Sequence, residues 1–172
     1  MKKAVAFLCL VIMCVSLCAC DPASFVISPD FLKDVTYIEL IEYKNPDQKQ
    51  FSTWVPDQFN DLKPFDDSNA TVIEILPEEK VSDFLDAFMQ ADILHTYYAY
   101  DSPSDICIKL NYASGNFLII WANYNAGTYA GYIGEYLPDG TVTSFWGSFS
   151  SLKCYERLVN DFFDYKILSN DK

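Results

Sequence analysis

Residues 106–121 read ICIKLNYASGNFLIIW, two apolar runs joined by Ser114-Gly115-Asn116, residues that accept turn geometry. In the first run Ile106, Ile108, Leu110 and Tyr112 alternate with Cys107, Lys109 and Asn111. A period of two puts one set on each face, the pattern of a half-buried strand. The second run, Phe117 to Trp121, is apolar at every position, which suits a central strand. Together they form a hairpin for the middle of an antiparallel sheet, and the rest of the chain supplies its neighbours.

Working outward, strands are expected near 93–100, 105–112, 117–124, 128–136 and 141–146. They are separated by Ser102-Pro103, Ser114-Gly115-Asn116, Asn125-Ala126-Gly127 and Pro138-Asp139-Gly140. Upstream, Val35 to Tyr43 is rich in β-branched and aromatic residues and reads as a first strand ending at Asn45-Pro46-Asp47. Phe51 to Val55 reads as a short strand. Residues 56–69, with Pro56, Pro64 and Asp66-Asp67-Ser68-Asn69, read as a loop.

Ala70 to Leu76 is a further strand and runs into the clearest helix. Pro77 suits a first helical position, Glu78 and Glu79 complement the positive end of the helix dipole, and Val81, Phe84, Leu85 and Phe88 fall at i, i+3, i+4 and i+7. A last helix near 149–165 places Leu152, Tyr155, Leu158, Val159 and Phe162 on one side, with Ser148 or Ser150 as its cap. The expectation is a single α+β domain over 35–172, an antiparallel meander with two helices packed on one face.

The N-terminus carries an address. Lys2 and Lys3 precede an apolar or small-residue run from Ala4 to Leu17, the length of a signal-peptide core and short of the roughly 20 residues needed to cross a bilayer. Leu17-Cys18-Ala19-Cys20 resembles the lipobox of bacterial lipoproteins. The resemblance implies removal of residues 1–19, lipidation of Cys20, and a cell-membrane, extracytoplasmic location. Cys18 at the position before Ala19 is the less usual choice for that box. Asp21, directly after the lipidated cysteine, resembles an inner-membrane retention signal.

Two or more acyl chains anchor stably, at about 0.8 kcal/mol per buried methylene. Residues 20–34, with Pro22 and Pro29, then read as a lipid-anchored tether. The order of elements over about residues 35–165 resembles small bacterial lipoproteins of uncharacterised role, which imply no activity.

After such processing the chain keeps all 24 acids and, without Lys2 and Lys3, 10 of its 12 basic residues, a formal charge of −14. The only arginine is Arg157, so a phosphate-binding surface is not supplied and nucleic acid is excluded as a partner. The charge favours solubility, and it also favours a cationic protein, peptide or glycan. Of six cysteines only Cys107 and Cys154 remain beyond the signal and anchor. A disulfide between them would close a loop of about 46 residues and add on the order of 4 kcal/mol. Against it, Cys107 points away from the apolar face that a helix bearing Cys154 should cover.

No motif supplies a cofactor site, and chemistry-bearing constellations are sparse. His95 is the single histidine and reads as a strand residue, with no partner at zinc spacing. Asp57, Asp61, Asp66 and Asp67 lack the spacing and glycine of a calcium loop. No G-x-S-x-G elbow occurs, and a nucleophilic pair of His95 with Cys107 or Cys154 would need two strand residues to converge.

The aromatic content stands out more. Thirteen aromatic residues lie between Tyr97 and Phe149. Among them Trp121, Tyr124, Tyr129, Tyr132 and Trp146 are expected contacts for a ligand on a sheet covered on one side only. The functional expectation is a non-enzymatic binding domain for a glycan, peptide or envelope protein. The alternatives are an acidic inhibitor or immunity-type lipoprotein that neutralises a basic protein and, with least support, a small envelope hydrolase.

The anchor is checked by intact mass and detergent partitioning of protein from its native host beside a Cys20→Ala variant. The expected result is a mass gain consistent with acylation that the variant loses. An unmodified, freely soluble wild type would refute lipidation.

Overall fold

A computed structural model describes residues 27–44, 65–91, 93–94, 106–121, 132–149 and 152–167. Its centre is β5 (Phe117–Trp121), every residue of which is buried. Burial on both faces requires a neighbour on each side and a layer above and below. The neighbours are β4 (Ile106–Tyr112), in register Leu110 to Leu118 and Cys107 to Trp121, and β6 (Tyr132–Tyr136), in register Phe117 to Tyr136. Gly115, at φ 89°, makes the turn between β4 and β5 that a residue with a Cβ resists.

The sheet is completed by β1 (Val35–Tyr43), β2 (Ala70–Ile75), β3 (Ile93–Leu94) and β7 (Val142–Phe149), in the order β2-β1-β4-β5-β6-β7-β3. All neighbouring pairs are antiparallel. The fold is α+β, with a meander over β4 to β7. The β1–β2 pair carries an extra residue at Ile73, since Leu40 faces Glu74 while Ile41 faces Val72.

Helix α1 (Pro29–Leu32) precedes β1, while α2 (Glu78–Met89) and α3 (Leu152–Phe162) cover one face of the sheet. Ile38, Leu40, Ile108, Leu110, Leu118, Ile120 and Ile133 supply the sheet's share of that core, and Phe84, Phe88, Tyr155, Leu158 and Val159 the helices' share. Each large side chain removed from water contributes about 1.5–3 kcal/mol, so this layer dominates stability. Tyr155 is fully buried without losing its polar end, because its hydroxyl donates to the Ile106 carbonyl at 2.8 Å. At the far end of α3 the Asp164 amide donates to Glu74 of β2 at 2.9 Å.

Several sequence expectations shift. Residues 27–34 are not tether: Ser28 caps α1, and Ile27 and Leu32 are buried in the helix-side core. Their apolar side chains gain by docking, and Pro29 suits the first helical position rather than an extended chain. Pro77 is the N-cap of α2 and not its first residue. Ser148 lies inside β7 and cannot cap α3, which starts at Leu152. The expected strand at 51–55, the turn at 45–47, Ser150 and His95 lie outside the described residues.

Docking of the first segment makes Leu32 a core residue. Leu32→Ala should cost about 2–4 kcal/mol in urea unfolding of the full-length protein, whereas the exposed neighbour change Lys33→Ala should cost less than about 0.5 kcal/mol. Equal, small effects would restore the tether.

Candidate functional site

The face of the sheet away from the helices is also closed at its centre. The side chains of Ile41 and Tyr43 from β1, Cys107 from β4, Phe117, Ile119 and Trp121 from β5, and Tyr136 from β6 form a second buried cluster. Its lid is Phe65. That ring stacks on Tyr43 with centroids 4.5 Å apart and meets Phe117, Trp121 and Tyr136 edge-on. Gly134 leaves room for the ring of Tyr136, which stacks on Phe117 at 5.2 Å.

The strap that carries Phe65 is held at both ends. The Phe65 amide donates to the Gly140 carbonyl at 2.8 Å, in the β6–β7 turn. The Asp66 amide donates to the Tyr43 hydroxyl at 3.3 Å. The Asp66 carboxylate accepts from the Ser68 amide at 2.9 Å, closing a 3-10 turn over Asp67–Asn69. Hydrogen bonds from Ser68, side chain before backbone, hold that carboxyl below its ordinary value. Asp67 then reaches Lys109 at 2.7 Å.

Lys109 is the charge at the heart of this face. Its side chain is 11% exposed, its ammonium lies 4.4 Å from the Phe117 ring centre and 5.3 Å from that of Phe65, and Asp67 supplies the counter-charge. Alongside, Asn111 donates to Glu39 at 3.0 Å. These polar groups are mutually satisfied and serve the architecture. Cys107 is equally committed: burial drives its thiol well above its ordinary value, with Lys109 acting in the opposite sense, and a protonated buried thiol is a poor nucleophile.

The expected site residues therefore separate. Trp121 is 3% exposed and belongs to the second core, so it is not a ligand contact. It sits there because Phe65 covers a face that would otherwise be open. Tyr124 and Tyr129, and the side chains of Tyr132 and Trp146, lie outside the described residues. Cys107 and Cys154 are not bridged, and they occupy opposite faces of the sheet, as the alternation in β4 requires. Asp66 and Asp67 are engaged in the strap, while Asp57 and Asp61 fall outside the described residues. Among the described residues no group of His, Cys, Asp or Glu is arranged to hold a metal ion.

What sequence reasoning missed is the open margin of the same face. In β2, Val72 is 49% and Ile75 is 57% exposed, and in β1 Tyr37 is 44% exposed. Val72 stands opposite Ile41 and Ile75 opposite Glu39, so both side chains continue the second face toward the sheet edge. Burial, then the charges of Glu39 and Asp67, raise the Tyr37 phenol, so it stays protonated and can donate. The strip of Tyr37, Val72 and Ile75 is the candidate site. A groove of about 280 Å³ between α2 and α3, lined by Ala91, Cys154, Arg157 and Asp161 among others, is more polar and lies on the opposite side of the molecule.

Comparison with protein-family models, with curated proteins and with solved structures finds no match for this chain. The assignment of a role therefore rests on the residues themselves.

The strap predicts a contrast between two glycines. Both have positive φ, 89° at Gly115 and 81° at Gly140, but a Cβ at Gly140 would overlap the Phe65 carbonyl, whereas one at Gly115 meets a Pro138 side chain at 3.3 Å. Gly115→Ala should cost about 1–2 kcal/mol from backbone strain alone, and Gly140→Ala should cost about 1–3 kcal/mol more because the strap must move. Equal costs in denaturant unfolding would show that the strap does not hold this face.

Proposed function

We propose that this chain is an envelope lipoprotein, processed before Cys20 and held to the membrane by acyl chains on that residue, whose domain binds a protein or peptide partner without catalysis. The anchor is supported by Leu17-Cys18-Ala19-Cys20 and the apolar run before it. Among the described residues no helix is long and apolar enough to cross a membrane. Burial of Ile27 and Leu32 shortens the tether, so the domain sits close to the bilayer.

One observation carries the binding half: Tyr37, Val72 and Ile75 form an exposed apolar strip on the margin of an acid-rich sheet. Isolated exposed apolar side chains need no explanation, but neighbours that share one face mark contact surfaces. Val72 and Ile75 offer aliphatic area and no hydrogen-bonding side chain, which favours a polypeptide ligand.

A specific observation also favours the inhibitor reading. Residues 66–79 carry Asp66, Asp67, Glu74, Glu78 and Glu79 and no cation at all. A basic protein would be steered to this margin by charge and held there by apolar contact.

The test is titration of full-length protein in detergent against panels of glycans, peptides and envelope proteins, at about 50 mM and about 500 mM salt. Binding to basic polypeptides, weakened about tenfold or more by the salt, is expected. Binding confined to glycans, or no ligand in any panel, would refute the proposal, and insensitivity to salt would refute the inhibitor reading.

A further inference from the structure

The strip belongs to the last strand of the sheet. In the strand order β2 stands at one end, and among the described residues it pairs with β1 alone. Two backbone bonds bracket that ladder, Lys44 N–H to the Asn69 carbonyl and Leu76 N–H to the Ile38 carbonyl, each 2.9 Å. Antiparallel pairs alternate between bonded and non-bonded, so Thr71 and Glu74 turn their amides and carbonyls toward β1 while Ala70, Val72 and Ile75 turn theirs outward. The Ala70 amide already donates to the Asp67 carbonyl at the end of the 3-10 turn, and among the described residues nothing bonds to the remaining outward groups.

An edge of this kind is a template for another strand, and proteins commonly blunt it with charge, proline or a bulge. Here the blunting is partial. The extra residue at Ile73 interrupts the edge, and Ile73 is itself 40% exposed. Proline appears only at Pro77, beyond the strand. Asp67 is neutralised by Lys109, and the charge left along the strand is of one sign, with Asp66 before it, Glu74 within it, and Glu78 and Glu79 after it.

That sign selects the occupant. A second copy would bring the same carboxylates edge to edge, and like charges opposed across strands destabilise pairing. A cationic segment removes the conflict. Its alternating side chains would fall into two sets. One set would lie against Val72 and Ile75 on the second face, and the other would lie on the helix side, where Glu74 stands opposite Leu40.

Resting on the binding role proposed above, we infer that β2 takes up an extended polypeptide segment with alternating apolar and basic residues as an additional strand of the sheet. Main-chain hydrogen bonds to Val72 and Ile75 hold it, the apolar strip fixes which face its apolar side chains take, and the carboxylates choose the charge.

Three synthetic peptides of ~8 residues test this: one alternating valine and lysine, a twin with glutamate for lysine, and a twin N-methylated at alternate amides on the ladder-forming side. Each is titrated into full-length protein in detergent, with hydrogen exchange followed over residues 70–76. The lysine peptide should bind and slow exchange there. The glutamate and N-methyl twins should bind at least about tenfold more weakly, as should the lysine peptide to Ile75→Lys, a change at an exposed position that spares the fold.

Equal binding of the N-methyl twin would overturn strand addition, as would protection elsewhere than 70–76. Concentration-dependent protection of 70–76 without peptide would make the occupant a second copy. Failure of all three peptides while a basic polypeptide still binds in the panels would sink the strand and leave the binding role standing. Failure in both experiments would sink both.

Discussion

The structure follows from the need to cover β5 twice. Phe117, Leu118, Ile119, Ile120 and Trp121 are buried without exception, so no arrangement with one wet face is open to this sheet. On one side the amphipathic helices α2 and α3 meet the need, with Phe84, Phe88, Leu158 and Val159 directed at the sheet. On the other side no helix is on hand among the described residues, and a short strap does the work by placing a single ring, Phe65, over Tyr43, Phe117, Trp121 and Tyr136. A lid one residue wide closes the centre of the face and leaves its margin at β2 uncovered.

The strap also explains a lysine that would otherwise be misplaced. Burying an ammonium is costly unless it is paired. Lys109 lies between two aromatic faces with Asp67 at 2.7 Å, and Asp67 comes from the same strap as Phe65. Cover and counter-charge thus arrive together, and the position of the 3-10 turn is set by both. Asn111 and Glu39 satisfy each other on the neighbouring row, so the polar groups of this face stabilise it and offer little to a ligand.

Much of this was legible in the residues, for identifiable reasons. The boundaries of β1 coincide with the expected Val35 to Tyr43, and β2 and α2 fall within a residue or two of their expected positions, because strand propensity and the 3.6-residue period were both strong there. The alternation in β4 correctly separated Cys107 from the face that carries Cys154. Where the pattern was non-local, it could not be read. Nothing in Phe65, set between Pro64 and two aspartates, signals that it caps an aromatic cluster drawn from three strands. Trp121 looked available for a ligand only because its cover comes from 56 residues upstream. Ile27 and Leu32 were obscured by the prolines around them, which suggested an extended chain where a four-residue helix docks.

The candidate site is the residue of this same division. An apolar edge strand that copies of the molecule could pair would be a liability. The extra residue at Ile73 and the carboxylates at Glu74 and at both flanks raise the cost of pairing like with like. They do so without covering Val72 and Ile75, whose apolar area remains available to any strand that brings positive charge. Protection against self-association and the proposed selection of a basic partner therefore draw on the same few residues. A chain under pressure only to avoid aggregation would more simply have placed a charge at position 72 or 75, on the face where this one keeps valine and isoleucine.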